Sequence, residues 1–215
     1  MGDTVARMVA EFILVFVALP VAFAFVHVPG GPIPVLLLLT TAVVWYIRRS
    51  KDFDRGALWR SAALRPALPS ILRLWALAAV VAVAAVWLFD REHLFDLPRH
   101  SPGLWILIVI AYPVVSVYPQ ELLFRAFLLH RYANLFRRND RLAAAASAVS
   151  FGLAHLLFGN PIAVILTLGG GWLFARRYQR TRSLLVVCAE HAAYGLLIFT
   201  VGLGRFFYHG THFAS

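Results

Sequence analysis

Apolar runs that approach or reach the thickness of a membrane occupy most of this 215-residue chain. Crossing the hydrocarbon layer of a bilayer takes roughly 20 helical residues. The runs are residues 8–28, 33–47, 71–89, 104–118, 142–158, 161–174 and 184–206. Several are short, so tilt or burial against other helices must help them to cross. The chain is therefore predicted to be all-α and to fold as a polytopic transmembrane helix bundle.

The composition excludes a soluble globular domain. Apolar residues make up 61% of the chain and charged residues only 14%, whereas soluble domains carry about 25% charged residues. The net charge of +10 does not indicate a nucleic-acid partner, because the basic residues flank apolar runs instead of lining one soluble face. A single cysteine, Cys188 in an apolar run, allows neither a disulfide framework nor a cysteine zinc site.

The basic residues also predict the orientation of the chain. If residues 104–131 cross once as a long bent helix, only Arg91, Arg99 and Arg205 lie outside, and Arg125 lies within the membrane. Two crossings there would move the following basic clusters to the outside. About seven crossings are therefore favoured over eight. We expect a multi-pass protein of a prokaryotic inner membrane, with its N-terminus in the cytoplasm.

Ionisable and amide side chains within apolar runs are concentrated in the second half of the chain. The first three runs contain only Glu11, His27 and Arg73, all near run ends. In the second half, seven such residues lie inside or beside apolar runs: Gln120, Glu121, Arg125, His130, His155, Glu190 and His191. Ionisable groups in lipid are costly unless they are paired or face a wet cavity. Within a single bundle formed by residues 1–215, we therefore expect 1–103 to be mainly scaffold and 104–206 to hold the functional core.

Helical spacing directs four of these side chains inward. Glu121 and Arg125 are four residues apart, so they share one helix face and can pair. His155 and His191 each continue a stripe of small residues, which favours close helix contact. Taken singly, the ion pair could serve only to orient a helix, and each histidine could be an interhelical hydrogen-bonding group. Together they favour a catalytic site.

These residue types are the catalytic groups needed to hydrolyse a peptide bond. A buried carboxylate can act as general base towards a water molecule, while a histidine polarises the attacked carbonyl or stabilises the oxyanion. Glu121, His155 and His191 would also make a catalytic zinc set. No His-Glu-x-x-His pair supports zinc, so the residues alone do not give the geometry of a zinc site, and both mechanisms stay open at this point.

Three motifs follow one another in residues 119–195. They are Gln120-Glu121 with Arg125, then Phe151 with His155, then His191. In order and spacing they resemble the CAAX protease and bacteriocin-processing (CPBP, or Abi) family of intramembrane proteases, which carries Glu-Glu-x-x-x-Arg, Phe-x-x-x-His and His-x-x-x-Asn on successive helices. The resemblance implies a metal-free glutamic protease, so we favour a mechanism without a cofactor and keep zinc as the alternative. Its catalytic residues would be Glu121, His155 and His191.

Two positions depart from the family pattern. Gln120 occupies the place of the first glutamate, usually taken as the base, and an amide cannot accept a proton. Either Glu121 has taken over, or Glu190 supplies the carboxylate, or the chain is a non-catalytic relative. Gly195 occupies the place of the asparagine, and Tyr194 could replace that oxyanion donor. We count Gln120, Arg125, Glu190 and Tyr194 as supporting residues.

The sequence thus predicts an intramembrane endopeptidase that works within the lipid bilayer and cleaves a membrane-associated peptide or protein. It would use a glutamate-activated water and a histidine-stabilised oxyanion. One rival is a proton-coupled transporter, in which the same groups form a relay, although no repeat relates the two halves of the chain. The other is a non-catalytic membrane scaffold of the same family, which Gln120 favours.

Overall fold

All regular structure in the described part of the chain is helical, as the apolar runs predict. The computed structural model describes residues 2–26 and 31–207. Its α-helices are α1 (Gly2–Ile13), α2 (Leu19–Phe25), α3 (Ile33–Arg49), α4 (Leu64–Phe89), α5 (Asp96–His100), α6 (Pro102–Tyr112), α7 (Tyr118–Glu121), α8 (Leu128–Arg131), α9 (Asp140–Ala154), α10 (Pro161–Thr181) and α11 (Leu184–Val201).

Shorter helical turns join these helices. Turns of π-helix occupy Leu14–Ala18, Pro113–Val117 and Leu122–Phe127. Turns of 3₁₀-helix occupy Arg55–Leu58, Ser61–Ala63, Arg91–His93, Leu156–Phe158 and Leu203–Phe207. The π-turns continue the α-helices on either side, so α6, α7 and α8 form one long helix.

Within residues 2–26 and 31–207, five helical segments are long and apolar enough to cross a membrane. They are Val5–Phe25, Ser61–Phe89, Pro102–Arg131, Asp140–Phe158 and Leu184–Val201. Of the other long helices, α3 has 17 residues and α10 ends in a basic stretch. The segment Pro102–Arg131 is one unbroken helical segment, while a total of about seven crossings stays a prediction.

Large apolar side chains cover the outer faces of the helices. Phe25, Leu38, Val80, Phe89 and Ile110 are all mostly exposed. Continuous apolar surface of this extent would drive aggregation in water, whereas lipid chains solvate it without cost. The fold is therefore that of an integral membrane protein.

Side-chain caps fix where the last three long helices begin. Asn139 accepts hydrogen bonds from two backbone N–H groups at the start of α9, and Asn160 accepts one from Ala163 at the start of α10. Pro161 then supplies a backbone angle suited to the first turn. Ser183 caps α11 in the same way. Such caps satisfy N–H groups that have no partner within the helix.

Small residues bring α9 and α10 into close contact. A Cβ atom added at Gly171 would lie 2.9 Å from Cα of Ala148, and one added at Gly152 would lie 2.7 Å from Cγ of Leu168. The small-residue stripe that leads to His155 therefore packs against α10, as its spacing predicts. This packing fixes the end of α9, where His155 lies.

Two tryptophans anchor α11 to its neighbours. The indole N–H of Trp75 on α4 donates to the carbonyl of Ala193, and that of Trp105 on α6 donates to the hydroxyl of Thr200, both at 3.0 Å. Each bond satisfies a polar group that lipid cannot satisfy. The helix that carries His191 is thus held on two sides.

Candidate active site

Glu121 and His191 form a buried hydrogen-bonded pair. Glu121, at the end of α7, has 0% of its surface exposed. Its Oε1 atom lies 2.7 Å from Nδ1 of His191 on α11, 70 positions further along the chain. With the carboxylate ionised, Nδ1 of the imidazole is the donor, and charge makes such bonds strong. The pair therefore sets both the orientation and the tautomer of His191.

Turns of π-helix flank Glu121 on both sides. Pro113–Val117 precedes α7 and Leu122–Phe127 follows it. Pro113 cannot donate a backbone hydrogen bond, and π-turns inside helices frequently occur at functional sites. The irregular backbone delivers Glu121 to the interior face of a long helix.

Arg125 lies beside this pair as a fully buried cation. Its Nε atom is 3.1 Å from Oε2 of Glu121, so the pairing that the spacing predicts is confirmed. None of the three guanidinium nitrogens has an aligned hydrogen-bond acceptor among the described residues. The guanidinium lies 4.4 Å from the ring centre of Phe151 and 5.5 Å from that of Phe174. Aromatic faces and the carboxylate together stabilise its charge.

The second ring nitrogen of His191 also has a partner. Nε2 lies 3.2 Å from the hydroxyl oxygen of Tyr112, which is the last residue of α6. The imidazole stacks on Phe174 at 4.7 Å between ring centres and meets the edge of Phe151 at 5.6 Å. Because Nδ1 donates to Glu121, Nε2 carries a lone pair and Tyr112 donates to it.

His155 is held differently, just beyond the end of α9. Its Nδ1 atom lies 2.7 Å from the carbonyl oxygen of Phe151. A carbonyl only accepts, so Nδ1 carries the hydrogen and Nε2 of the neutral ring is an acceptor. The ring centre is 4.6 Å from that of Phe151, whose ring also contacts His191. The two histidines thus flank one phenylalanine.

Both histidines line a cavity of about 840 Å³ between the helices. Most of its wall is apolar and includes Leu19 and Phe23 of α2 and Leu36 of α3. The polar side chains in the wall are those of Tyr112, Ser116, Gln120, His155, Thr167, His191 and Tyr194. Glu121 and Arg125 are not part of the wall in the described structure, so they lie behind it. The 2.7 Å bond to His191 connects Glu121 to this wall.

Gln120 reaches the cavity but makes few contacts. Its amide Nε2 donates to the hydroxyl of Ser116 at 2.7 Å. The amide oxygen is buried without a hydrogen-bond partner in the described structure. Leaving a buried acceptor unpaired costs free energy. The side chain at position 120 is therefore suited to a hydrogen bond with a molecule bound in the cavity.

Glu190 lies in a separate ion pair, away from the cavity. Its two carboxylate oxygens accept from Nε and Nη2 of Arg177 at 2.8 and 3.0 Å, and Nη1 of Arg177 donates to Ser70. Sequence reasoning grouped Arg177 with the basic residues that set topology, but its side chain is only 9% exposed. Bidentate geometry of this kind fixes the contact between α10 and α11. The structure gives Glu190 a structural partner and no access to the histidines' cavity.

Sequence reasoning missed Tyr112, because nothing in its local pattern distinguishes it from other aromatic residues in apolar runs. The structure places its ring against Gly195. A Cβ atom added at Gly195 would lie 2.6 Å from Cζ of Tyr112 and would overlap the hydroxyl oxygen. Tyr194 also lines the cavity, and its ring lies 6.1 Å from that of Phe174. Gly195 is the position at which the resembling family carries asparagine.

The described side chains do not form a three-ligand metal site. No group of three or more His, Cys, Asp or Glu side chains is arranged to hold an ion in residues 2–26 and 31–207. Glu121 and His191 are in contact with each other, whereas His155 bonds to a backbone carbonyl. The zinc alternative therefore finds no support in this geometry.

Comparison with known proteins identifies the segment that holds this site. The model of the family described as type II CAAX prenyl endopeptidase Rce1-like matches residues 102–197. The match begins with α6 and includes Glu121, His155 and His191. No curated protein and no solved structure matches the chain. Residues 102–197 are thus similar to the Rce1-like endopeptidases of the CPBP family, the family that the three motifs resemble.

Proposed function

We propose that this chain is an intramembrane endopeptidase that hydrolyses a peptide bond in a membrane-associated peptide or protein. The observation that carries the proposal is the 2.7 Å bond between Glu121 and His191 at the wall of a cavity that also receives His155. Buried ionisable groups around a cavity within membrane helices are candidates for function by default. The similarity of residues 102–197 to an endopeptidase family supports peptide hydrolysis as the reaction.

In this proposal, His191 is the proton acceptor and Glu121 is its positioning residue. This differs from a glutamate that meets water directly, because Glu121 is fully buried and lies behind the cavity wall. Transfer of a proton to Nε2 creates an imidazolium, which the adjoining carboxylate stabilises. Arg125 lies 3.1 Å from the same carboxylate and pairs with it.

His155 positions the attacking water. Its Nδ1–H is engaged by the carbonyl of Phe151, so Nε2 offers a lone pair to the cavity. A water molecule that replaces the Tyr112 hydroxyl on Nε2 of His191 and donates its other hydrogen bond to His155 has its oxygen lone pairs directed at a bound carbonyl. Of the two nitrogens, Nε2 of His191 takes the proton because only its ring has a carboxylate partner.

The reaction then proceeds in two steps. The water oxygen bonds to the carbonyl carbon, its proton passes to His191, and the carbonyl π electrons move to the oxygen. When this tetrahedral intermediate collapses, the carbon–nitrogen bond breaks and the leaving nitrogen takes the proton from His191. The products are a carboxylic acid and an amine, and the site returns to its starting state.

The cavity favours an apolar substrate. Its wall is mainly aliphatic and aromatic, and it lies among helices whose outer faces suit lipid. Binding sites of this size and character take apolar groups and use few polar contacts to orient them. The family model is named for prenyl endopeptidases, so we extend the proposal to substrates with an isoprenoid or similarly apolar group near the cleaved bond.

The basic residues at the helix ends support a protein that resides in a prokaryotic inner membrane with its N-terminus in the cytoplasm. The lipid bilayer is then both the solvent of the outer faces and the route by which an anchored substrate reaches the cavity. The proposal involves no nucleic acid and no metal.

Purified protein in liposomes tests this function. Two membrane-anchored peptides of the same sequence, one farnesylated and one unmodified, are incubated with it and the products identified by mass spectrometry. Internal cleavage, faster for the farnesylated peptide and insensitive to strong chelators, is expected. Equal rates would remove the apolar-group preference, and activity lost on chelation and restored by zinc would overturn the metal-free mechanism. No cleavage of either peptide would favour a non-catalytic relative, as Gln120 does.

A further inference from the structure

Tyr112 occupies the space that any side chain at position 195 would need. A Cβ atom at Gly195 would overlap the hydroxyl and ring of Tyr112. Tyr112 can therefore take this position only because residue 195 is glycine. The ring of Tyr112 is held edge-on against Phe199 at 5.3 Å. Its hydroxyl therefore has a fixed position beside His191.

The hydroxyl faces both the reacting nitrogen and the cavity. It lies 3.2 Å from Nε2 of His191, and Tyr112 is one of the cavity-lining residues. Because Nε2 has a lone pair in the resting state, the hydroxyl hydrogen points to it. When the attacking water occupies this lone pair, Nε2 can no longer accept from Tyr112, and the hydroxyl hydrogen is released.

We propose that Tyr112 is a catalytic residue that donates a hydrogen bond to the oxyanion of the tetrahedral intermediate. This inference rests on the proposed peptidase function. The water displaces the hydroxyl from Nε2 before it attacks, so the hydroxyl hydrogen is free to reach the carbonyl oxygen as negative charge develops there. This hydrogen bond strengthens as the oxygen becomes an oxyanion, which is the condition for stabilising a transition state over the bound substrate.

The geometry assigns this role to Tyr112 because its hydroxyl, among the polar groups of the described cavity wall, lies 3.2 Å from the reacting nitrogen. Nε2 of the neutral His155 ring is an acceptor, and the amide hydrogen-bond donor of Gln120 is directed to Ser116. Tyr194 also lines the cavity, with its ring near that of Phe174, and is the next candidate for this role. At the position where the family that the motifs resemble has asparagine, this chain has Gly195, and Tyr112 from α6 occupies the space.

Kinetics of Tyr112→Phe test the proposal. Loss of one oxyanion donor typically lowers kcat by about 100- to 1000-fold, and we expect a loss near that range with little change in KM. Tyr46→Phe is the matched control, since Tyr46 packs on Phe127 and is not a cavity-lining residue. Unchanged kcat in Tyr112→Phe, or a larger loss in Tyr194→Phe, would overturn the assignment.

Substitutions at position 195 test the same claim without removing the hydroxyl. Gly195→Ala displaces Tyr112, so it should reduce kcat while folding is monitored by thermal unfolding. Tyr112→Ala with Gly195→Asn places an amide donor in the vacated space and should recover part of the activity that Tyr112→Ala alone loses. Full activity of Gly195→Ala would contradict the proposal. A wild-type protein without cleavage would instead contradict the peptidase function itself.

Discussion

The carboxylate of Glu121 touches the imidazole of His191 at 2.7 Å and is sealed from the cavity that His191 lines. The acid and the cavity are thus on opposite sides of one ring. In the proposed mechanism, the carboxylate influences the contents of the cavity through the tautomer and orientation of His191. His191 is then the residue that meets water, and Glu121 is the residue that positions it.

The pair formed by Glu190 and Arg177 should support stability without participating in catalysis. Glu190→Gln leaves Arg177 buried and uncompensated, so we expect a loss of about 3–5 kcal/mol in unfolding free energy. Thermal or denaturant unfolding in detergent measures it, alongside cleavage per folded molecule. Combining Glu190→Leu with Arg177→Met should restore most of the stability. Abolished cleavage in a stably folded Glu190→Gln protein would instead assign the base to Glu190.

Arg125 should affect both stability and turnover. Arg125→Ala removes the cation that faces Glu121 and empties a space between two phenylalanine rings. A buried carboxylate without its partner is destabilised, so unfolding temperature and kcat should both fall. Arg125→Lys keeps the charge and should retain more stability than the alanine variant. Equal stability of wild type and Arg125→Ala would show that the buried pair contributes nothing.

Gln120→Glu should be tolerated or activating. The amide oxygen of Gln120 is buried without a partner, and its side chain reaches the cavity. A carboxylate there restores the family's first glutamate, and the hydroxyl of Ser116 can donate to it. The same change should partly rescue Glu121→Gln, because it supplies a second acid to the site. Initial cleavage rates of the four proteins decide this, and a large loss in Gln120→Glu alone would refute it.

Reporter fusions should follow the distribution of basic residues. Fusions after Arg49, Arg138 and Arg180 are expected in the cytoplasm, and one after His93 outside. Phosphatase and fluorescent reporters with opposite compartment preferences measure each position. An external signal after Arg138 would mean that residues 102–131 do not cross once, and the seven-crossing topology would be wrong.

Much of the fold could be predicted from the sequence because lipid imposes simple rules. Apolar runs specify membrane helices, and helical spacing specifies the pairing of Glu121 with Arg125 and the inward stripe before His155. These patterns are local, because each of them lies within a single helix. The same logic applied to capping residues would locate the starts of α9 to α11.

Contacts between distant helices could not be predicted in this way. Arg177 resembles any basic residue at a helix end until α11 brings Glu190 against it. Tyr112 resembles other aromatic residues until Gly195 leaves it room. The division of duties between Glu121 and His191 depends on which of them faces the cavity, and burial of that kind arises only from packing.

A double-mutant cycle on cleavage tests the central claim most directly. Glu121→Gln, His191→Gln and the protein with both changes are compared with wild type by single-turnover cleavage of the farnesylated peptide. General-base contributions are about 10²- to 10⁴-fold, so each single change should lower the rate by that order. If Glu121 acts through His191, the double variant should lose no more than the worse single variant. Losses that multiply, or full cleavage by Glu121→Gln, would contradict the account.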